Sequence, residues 1–387
     1  MLGQVLEVTL MNLRNVRSRL GSSSVIVVGI SCVVGVLIAL LAMAAGFRAT
    51  LETGGAPDRA IVMRDGSESE MLSNVSPNDR FYVSTFAGID AASAELYTVA
   101  DVPKRDTGLD ANLIVRGVEA EAFEVRPEVR IVEGRNFVPG RAEIIAGRNA
   151  QSEFAGLDIG NSLEFRNSEW TVVGVFEDGG SAHESEIWVD LAVAQSAFRR
   201  GGTVSSLRLR VDSPASMDAL RARVEDDKQL DLKLVPEEEY LAAQASGLAT
   251  TIELFGTVVA YIMAVGAVFA ALNTMYSAVV SRTVEIATLR ALGFGGLPVV
   301  VSVMIEAIAL AFIGGLLGAA IAWFGFNGYT VSTLNNASFS QIAFDFAVTP
   351  ELMTNGLIWA LVLGTIGGLF PAVRAARLPI TTALRGE

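Results

Sequence analysis

The hydrophobic and polar positions of the chain divide it into four long apolar runs and one polar region of about 200 residues between the first run and the second. Each run reaches or approaches the ~20 residues that an α-helix needs to cross about 30 Å of hydrocarbon. Apolar helices of this length are uncommon in soluble cores, so the pattern predicts four transmembrane helices. The predicted layout is an N-terminal segment 1–21, a first span 22–47, an inserted domain 48–250, a second span 251–280, a charged connection 281–296, a third span 297–324, a short external loop 325–354, a fourth span 355–373 and a tail 374–387.

The inserted domain alternates short strand-like pieces with helix-like pieces. Two segments, 217–224 and 238–245, have helical periodicity and follow Pro214 and Pro236, which suit the start of a helix. The strand-like pieces are rich in Val, Ile and aromatic residues and are bounded by Gly, Asn or Asp: 60–64, 113–118, 144–145, 163–166, 170–176, 186–189 and 207–211, with a hairpin turn at 166–169. This pattern predicts a mixed α and β domain with two lobes.

The last predicted helix of the inserted domain has no strong breaker before the second span. Its first residues, Glu237, Glu238 and Glu239, are carboxylates at a helix N-terminus, where they complement the helix dipole. Gly247 is the only glycine or proline between these residues and the apolar run. A continuous or nearly continuous helix would therefore transmit motion between the domain and the membrane.

The first 47 residues leave two alternatives open. Residues 5–13 are largely apolar and are followed by basic residues, which suits a helix lying on the inner leaflet or, equally, a cytosolic extension of the first span. Residues 42–44, Ala-Met-Ala, resemble a signal-peptidase site. The first apolar run is longer than the roughly 7–15 residues of a typical signal-peptide core, which favours a retained span over a cleaved leader.

The composition agrees with a membrane protein, since 51% of the residues are hydrophobic, only 18% are charged and the mean hydropathy is +0.45. The acidity of the chain lies in the inserted domain, where residues 49–248 contain 35 acidic and 20 basic residues, a net charge of −15. Nucleic-acid binding requires a basic surface. The domain is therefore predicted not to bind nucleic acid.

Basic residues beside the spans predict the orientation of the chain. Short cytoplasmic flanks are enriched in Lys and Arg, whereas external flanks are not. The external loop 325–354 has no Lys or Arg. Both termini and the 281–296 connection are therefore predicted to be cytoplasmic, and the inserted domain external. The arginines that carry this prediction are Arg14, Arg17, Arg19, Arg282, Arg290, Arg374, Arg377 and Arg385.

No residue pattern in the chain predicts a catalytic or metal site. His183, the only histidine, is predicted to be an ordinary loop residue, and Cys32, the only cysteine, lies inside the first span. A catalytic triad or a zinc site needs several converging groups, and one cysteine excludes an intrachain disulfide. None of Lys104, Lys228 and Lys233 follows a glycine, so the sequence has no phosphate-binding P-loop. We therefore expect no metal, no cofactor and no ATPase activity in the chain itself.

Polar and small residues inside the spans predict internal contacts. Glu306 falls about nine residues into the third span, where a carboxylate must be paired, protonated or turned toward a polar interior. A structural ion pair and a role in gating or coupling both fit this position. The pairs Gly314/Gly318 and Gly364/Gly368 allow helices to approach closely, either within one subunit or across a dimer seam.

The charged connection between the second and third spans contains SRTVEIATLRALGF at 281–294. Ser281 can cap a helix here, Ile286, Leu289 and Leu292 form a partial apolar stripe, and Gly293 can end the helix. A turn between two antiparallel helices needs only about 2–5 residues. The connection is therefore predicted to be a separate amphipathic helix that docks a soluble partner.

Motifs spread along the whole chain point to one protein family. They are the segment 10–20, VEGRNF at 132–137, IGN at 159–161, VGV at 173–175, RTVEIATLRALG at 282–293, MIEA at 304–307, IGGLLG at 313–318, and GLFPAVRAAR at 368–377 followed by ALR at 383–385. Together they resemble the permease of MacB/FtsX-type ABC transporters, in the split form without a fused ATPase. The charged helix and the C-terminal motif are the most specific parts of the resemblance.

The resemblance implies a four-helix permease subunit that forms a homodimer, or a heterodimer with a related permease. It also implies two copies of a separate ABC ATPase subunit, which bind ATP and Mg. The implied location is the bacterial inner (cytoplasmic) membrane, with a MacB-like periplasmic core domain. In this family the helix between the second and third spans is the coupling helix that rests on the ATPase. Carried over by position, its residues here are Arg282, Glu285, Ile286, Leu289, Arg290 and Gly293.

Two functions fit this resemblance. The first is export or extraction of an amphipathic substrate, such as a lipid, lipoprotein, peptide or drug-like molecule, beside a periplasmic adaptor or an outer-membrane channel. The second is FtsX-like mechanotransmission, in which the chain moves no substrate and regulates a periplasmic partner such as a cell-wall hydrolase. In both functions the chain is a non-catalytic membrane subunit.

Overall fold

The structure, a computed structural model, describes residues 20–335 and 339–377. These residues form two compact units. The membrane unit contains the described residues up to Ala45, Thr250–Tyr329 and the described residues from Phe346 onward; the inserted unit contains Gly46–Ala249 and Thr330–Asp345. The α-helices are α1 (Leu20–Thr53), α2 (Pro77–Ser84), α3 (Ala122–Val125), α4 (Arg148–Glu153), α5 (Leu191–Ala197), α6 (Pro214–Asp226), α7 (Glu237–Ser281), α8 (Thr283–Ala291), α9 (Gly296–Phe326) and α10 (Pro350–Arg377).

Among the described residues, the helices α1, α7, α9 and α10 are long and apolar enough to cross a membrane. They contain 34, 45, 31 and 28 residues. At about 1.5 Å per residue, even the shortest is about 42 Å long, which exceeds the ~30 Å of the hydrocarbon core. The predicted architecture of four transmembrane helices with a large domain between the first and the second is confirmed. α7 continues past Gly247 without a break, from the inserted unit into the membrane unit.

Two glycines bring α9 against α1 in the membrane unit. A Cβ atom at Gly314 would lie 2.9 Å from the Val27 carbonyl oxygen, and one at Gly318 would lie 2.7 Å from the Ser31 carbonyl oxygen. The Ser31 hydroxyl uses this close approach to donate a hydrogen bond to the Gly314 carbonyl (3.0 Å). A side chain at either glycine would force the two backbones apart.

A second glycine pair brings α10 against α9. A Cβ atom at Gly364 would lie 2.3 Å from Cβ of Ala311, and one at Gly368 would lie 2.6 Å from Cβ of Ala307. Both glycine pairs therefore pack inside one chain, which is one of the two alternatives that the sequence left open. Pro371 lies inside α10, which continues to Arg377, and it is buried.

The inserted unit is built on one mixed sheet. Its strands are β1 (Arg59–Arg64), β2 (Ile89–Pro103), β3 (Asp110–Val118), β4 (Arg130–Gly134), β5 (Glu143–Gly147), β6 (Ser162–Phe165), β7 (Ser168–Glu177), β8 (Glu186–Asp190), β9 (Ser206–Val211) and β10 (Leu232–Pro236). The strand order is β10-β1-β9-β2-β3-β8-β5-β7-β4, with β6 also beside β7. The pairs β3–β8 and β5–β7 are parallel. The mixed α and β character is confirmed, and the strands assigned to two lobes share this one sheet.

The sequence analysis missed β2, β4 and β10. In β2 the buried positions include Ser93 and Glu95, so polar side chains masked the apolar alternation of the strand. The hairpin turn between β6 and β7 lies where it was predicted. Arg166 and Asn167 both have positive φ values, 53° and 59°, which two-residue turns of this kind require.

The connection between α9 and α10 contains a β-hairpin, so the expectation of a short loop at 325–354 was wrong in part. Its strands are β11 (Thr330–Asn335) and β12 (Ser340–Asp345), and they pair antiparallel. The hairpin belongs to the inserted unit: the Ala343 backbone amide donates to the Ser185 hydroxyl (3.0 Å), and the Asn112 side-chain amide donates to the Phe339 carbonyl (2.7 Å). The α9–α10 connection and the inserted domain are therefore parts of one folded body.

Candidate functional site

The charged connection forms a separate helix, α8, but it begins differently from the expectation. Ser281 is the last residue of α7, and its hydroxyl donates to the Ala278 carbonyl (2.9 Å), so it does not cap α8. The N-cap of α8 is Arg282, whose side chain makes no capping hydrogen bond. The Arg282 side chain is buried in the membrane unit instead.

The end of α8 is set by Gly293. This residue has a φ of +96°, which a glycine adopts without a steric penalty. Its amide donates to the Arg290 carbonyl (3.1 Å), and the next amide, of Phe294, donates to the Leu289 carbonyl (3.1 Å). This pair of bonds is the Schellman motif, which satisfies the last carbonyls of a helix. The chain therefore turns sharply after α8 and enters α9 at Gly296.

A buried ion pair holds the start of α8 against α9. Arg282 Nη1 lies 2.9 Å from Glu306 Oε2, and Nη2 lies 3.5 Å from Oε1. The two side chains are only 5% and 6% exposed. A buried carboxylate is costly unless it is paired, and Arg282 supplies that partner. The two residues that the sequence analysis treated separately thus form one contact.

Arg282 and Glu306 also line a small cavity of about 20 Å³. Met275 from α7 and Leu289 from α8 contribute to its walls, together with Val299 from α9. The cavity has room for about one water molecule. The end of α7, one side of α8 and the start of α9 therefore meet in one contact region.

The opposite face of α8 is exposed and partly apolar. Val284 is 54% exposed, and Leu292, just beyond the helix, is 73% exposed; Glu285 is exposed beside them. The predicted apolar stripe is divided, because Ile286 is buried and Leu289 is half-buried. The sequence analysis did not identify Val284 as an exposed apolar residue. The sequence alone does not show that the Arg282–Glu306 contact buries one face of α8 and leaves the other exposed.

Eight buried charged side chains meet in the inserted unit, and the sequence analysis missed all but one of them. They come from five strands, a 3₁₀ helix, the segment after α3 and the start of α7. Four are acidic and four are basic, so the ion cluster is neutral. Charges inside apolar strands, such as Arg116 in LIVRGV and Arg208 in LRLRV, were the available signal. The ion cluster consists of Arg59, Glu70, Glu95, Arg116, Arg126, Glu186, Arg208 and Glu237.

The arginines of the ion cluster keep the Glu95 carboxyl group ionised. Arg126 Nη1 lies 2.6 Å from Glu95 Oε1, and Arg116 Nη1 lies 2.8 Å from Glu95 Oε2. Burial alone would raise the pKa of Glu95, but the guanidinium groups of Arg126, Arg116 and Arg208 outweigh it and lower that pKa to about 2. Glu95 is therefore charged at neutral pH, and each carboxylate of the ion cluster is held by at least one guanidinium group.

Glu237, the first residue of α7, belongs to this ion cluster. Its Oε1 lies 2.5 Å from Arg208 Nη1, and its Oε2 lies 2.6 Å from Arg59 Nε. The side chain is fully buried, whereas Glu238 and Glu239 are exposed. The expectation of a helix-dipole role was therefore incomplete for Glu237, because ion pairs fix the start of α7 to β1 and β9.

His183 is buried, which differs from the predicted ordinary loop position. Its Nδ1 lies 2.7 Å from Asp178 Oδ2, and the Ser181 hydroxyl donates to the same oxygen (2.5 Å). Burial alone would raise the pKa of Asp178, but the contacts with His183, Ser181 and Arg126 together outweigh it and lower that pKa. The Ser181 hydroxyl also lies 3.3 Å from His183 Nδ1, the same nitrogen that faces Asp178, whereas in a catalytic triad the serine and the acid contact opposite nitrogens of the imidazole. In the described part of the chain, no group of three or more His, Cys, Asp or Glu residues could hold a metal ion.

Two family models match the chain. The "MacB-like periplasmic core domain" matches residues 23–227, and the "FtsX-like permease C-terminal" matches residues 257–380. The first match covers α1 and most of the inserted unit. The second match covers most of α7 together with α8, α9 and α10, and therefore includes the Arg282–Glu306 pair.

Individual relatives agree with these matches. The "Macrolide export ATP-binding/permease protein MacB" of Photorhabdus laumondii is 27% identical over 327 residues, which are 78% of this chain and 49% of that protein. The "Uncharacterized ABC transporter permease YknZ" of Bacillus subtilis is 25% identical over 297 residues, 72% of this chain and 71% of that protein. The chain thus spans about half the length of the MacB relative.

A solved structure of a related region is also similar. The periplasmic region of MacB from Actinobacillus actinomycetemcomitans aligns with a TM-score of 0.38 and 12% sequence identity. The alignment covers 52% of this chain and 94% of that one.

Proposed function

The chain belongs to the MacB/FtsX-type family of ABC transporter permeases, and from this premise we propose that it couples ATP hydrolysis in a separate ATPase subunit to movement of the inserted unit. The proposal rests on the different surroundings of the two faces of α8. One face is fixed to α9 through Arg282 and Glu306, and the other presents exposed Val284 and Leu292. We infer that these two side chains give the ATPase an apolar surface to bind.

The proposed orientation places α8 and both termini in the cytoplasm and the inserted unit in the periplasm of a bacterial inner membrane. The arginines of the 281–296 connection and of the end of α10 support it, because such residues favour the cytoplasmic side. The hairpin of β11 and β12 supports it as well, since it belongs to the same folded body as the inserted domain. An even number of spans requires these two segments to share one side of the membrane.

α7 provides the proposed path for transmission. It is one helix of 45 residues, about 68 Å long at 1.5 Å per residue. Its last residue adjoins the N-cap of α8, and its first residue, Glu237, is held in the ion cluster. Force applied to α8 by an ATPase would thus reach the sheet through a single continuous helix.

The proposed assembly contains two permease chains, identical or related, and two ATPase subunits that supply the ATP site. The proposed activity is export or extraction of an amphipathic substrate, a lipid, lipoprotein, peptide or drug-like molecule. The relative named for macrolide export supports this activity over regulation of a periplasmic enzyme.

Co-purification of the ATPase tests the docking face. The Val284→Asp/Leu292→Asp double variant should lose the ATPase, because two charges would replace the apolar contacts. Leu109→Asp is a matched control, since Leu109 of the inserted unit is 70% exposed and Leu292 is 73% exposed. The control should retain the ATPase. Retention of the ATPase by the double variant would refute the proposed docking face.

A further inference from the structure

A groove in the inserted unit lies beside the first turns of α7. Its volume is about 680 Å³, within the range of small-molecule sites, which is roughly 300–1,000 Å³. One wall is the 3₁₀ helix Glu70–Leu72, another is the α7 segment from Tyr240 to Leu248, and the third is the hairpin beside Phe339. The residues that line the groove include neither α8 nor the Arg282–Glu306 pair.

The walls of the groove are largely apolar. Leu72 is 69% exposed and Phe339 is 58% exposed, and both line the groove together with Met71 and Leu248. Large apolar side chains that remain exposed around a concave surface are characteristic of a ligand site. The walls therefore suit the apolar body of a ligand.

Two polar groups indicate the head of that ligand. Ser69 is only 5% exposed, yet its hydroxyl has no hydrogen-bond partner among the described residues. Glu68, beside it, is exposed at the groove. The described residues that line the groove include no Lys or Arg, so its only formal charge is the Glu68 carboxylate. An amine would be attracted to this carboxylate and could bond the Ser69 hydroxyl, whereas an anion would be repelled.

The groove is also tied to the ion cluster. Glu70, next to Ser69, donates its amide to the Tyr240 hydroxyl oxygen (3.1 Å). The Glu70 carboxylate lies 2.7 Å from Arg208 Nη2, and Arg208 also holds Glu237. A ligand that displaces the 68–72 segment therefore acts on the contacts that fix the start of α7.

We propose that this groove binds a cationic amphipath, with its apolar body against Leu72 and Phe339 and its amine near Glu68 and Ser69. The proposal extends the proposed function, on which it rests, by placing a substrate site next to α7 and by giving the substrate a positive charge. Binding itself requires no ATPase.

Photo-crosslinking of the full chain tests the groove. The chain is placed in phosphatidylcholine nanodiscs and labelled with dodecylamine carrying a diazirine, and labelled peptides are located by mass spectrometry. Saturable labelling is expected on peptides containing 68–72 and 240–248. A dodecyl sulfate carrying the same diazirine should give no saturable labelling there. Equal saturable labelling by both probes would overturn the proposed charge selectivity.

Two neighbouring alanines of α7 provide a matched pair of variants. Ala243 lines the groove and Ala242 does not, and both are exposed, so neither replacement disturbs the core. Ala243→Trp should fill the groove and lose the saturable labelling, whereas Ala242→Trp should retain it. Glu68→Gln should lower labelling by the amine without affecting an uncharged dodecanol probe. Labelling that survives Ala243→Trp would overturn the groove assignment, and this result is independent of ATPase docking at α8.

Discussion

Arg282 Nη1 lies 2.9 Å from Glu306 Oε2, and this buried pair joins the N-cap of the proposed coupling helix to the third spanning helix. Removing one partner of a buried ion pair leaves an uncompensated charge and is strongly destabilising. Replacing both partners with apolar residues of similar volume is often neutral. Single and double substitutions at these two positions therefore distinguish two contributions to stability: the net contribution of the ion pair, and the cost of leaving one charge buried without its partner.

Glu306→Leu should lower the free energy of unfolding by about 3–5 kcal/mol, because it leaves Arg282 buried without a partner. The double variant Arg282→Met/Glu306→Leu should recover most of this loss. Thermal unfolding of the full chain in detergent measures both effects. A double variant as unstable as Glu306→Leu would show that the unpaired charge is not the cause.

Glu237→Gln should destabilise the inserted unit and increase hydrogen exchange at the start of α7, because Arg59 and Arg208 lose a charged partner in a buried site. Glu239→Gln is the control. Glu239 is exposed, and its pair with Arg221 is on the surface, where such pairs contribute little. Hydrogen exchange followed by mass spectrometry measures the first turns of α7. Equal exchange in the two variants would contradict the anchoring role of Glu237.

The inserted unit should lose stability in acid. The pKa of Glu95 is about 2 in the folded chain and about 4.5 ordinarily. A lowered folded-state pKa contributes stability above the ordinary value, and that stability is lost as the pH falls from about 4.5 toward 2. Urea unfolding at several pH values between 2 and 6 measures the loss of stability, with hydrogen exchange of the β2 amides as the probe of unfolding.

The matched variants for this pH dependence are Arg126→Met and Arg105→Met. Arg126 contacts Glu95 inside the ion cluster, so its removal should raise the pKa of Glu95 and move part of the acid transition to higher pH. Arg105 pairs with Asp158 on the surface, and its removal should leave the transition unchanged. Identical acid transitions in the two variants would show that Arg126 does not determine the pKa of Glu95.

Gly364→Ala should destabilise the membrane unit, because the new Cβ would lie 2.3 Å from Cβ of Ala311 and the two helices would have to separate. Gly29→Ala is the control within α1. A Cβ there meets nothing within 4 Å, and alanine favours a helix over glycine by about 1 kcal/mol. Thermal unfolding should show a lower midpoint for Gly364→Ala and an equal or higher one for Gly29→Ala. The reverse order would contradict the packing of α10 on α9.

The local parts of the fold were accessible from the sequence. The spans are recognisable because apolar length is a property of one segment, and most strands of the inserted unit were found because turns bound short apolar pieces. β2 was missed because Ser93 and Glu95 are buried in it, and only their neighbours in the sheet explain why. The hairpin of β11 and β12 was treated as a loop, since its stability depends on contacts with residues such as Ser185 and Asn112.

The sequence by itself determined the four spans, the large domain between the first two, the position of α8 and the family resemblance, because each depends on residues close together in the chain. Only the tertiary structure decided which face of α8 is exposed, which carboxylates are paired and where the glycines pack. The physical reason is separation along the chain: Arg282 and Glu306 are 24 residues apart, and Arg208 and Glu70 are 138 apart. Helix packing and strand order bring such residues together, and burial then requires each charge to have its partner.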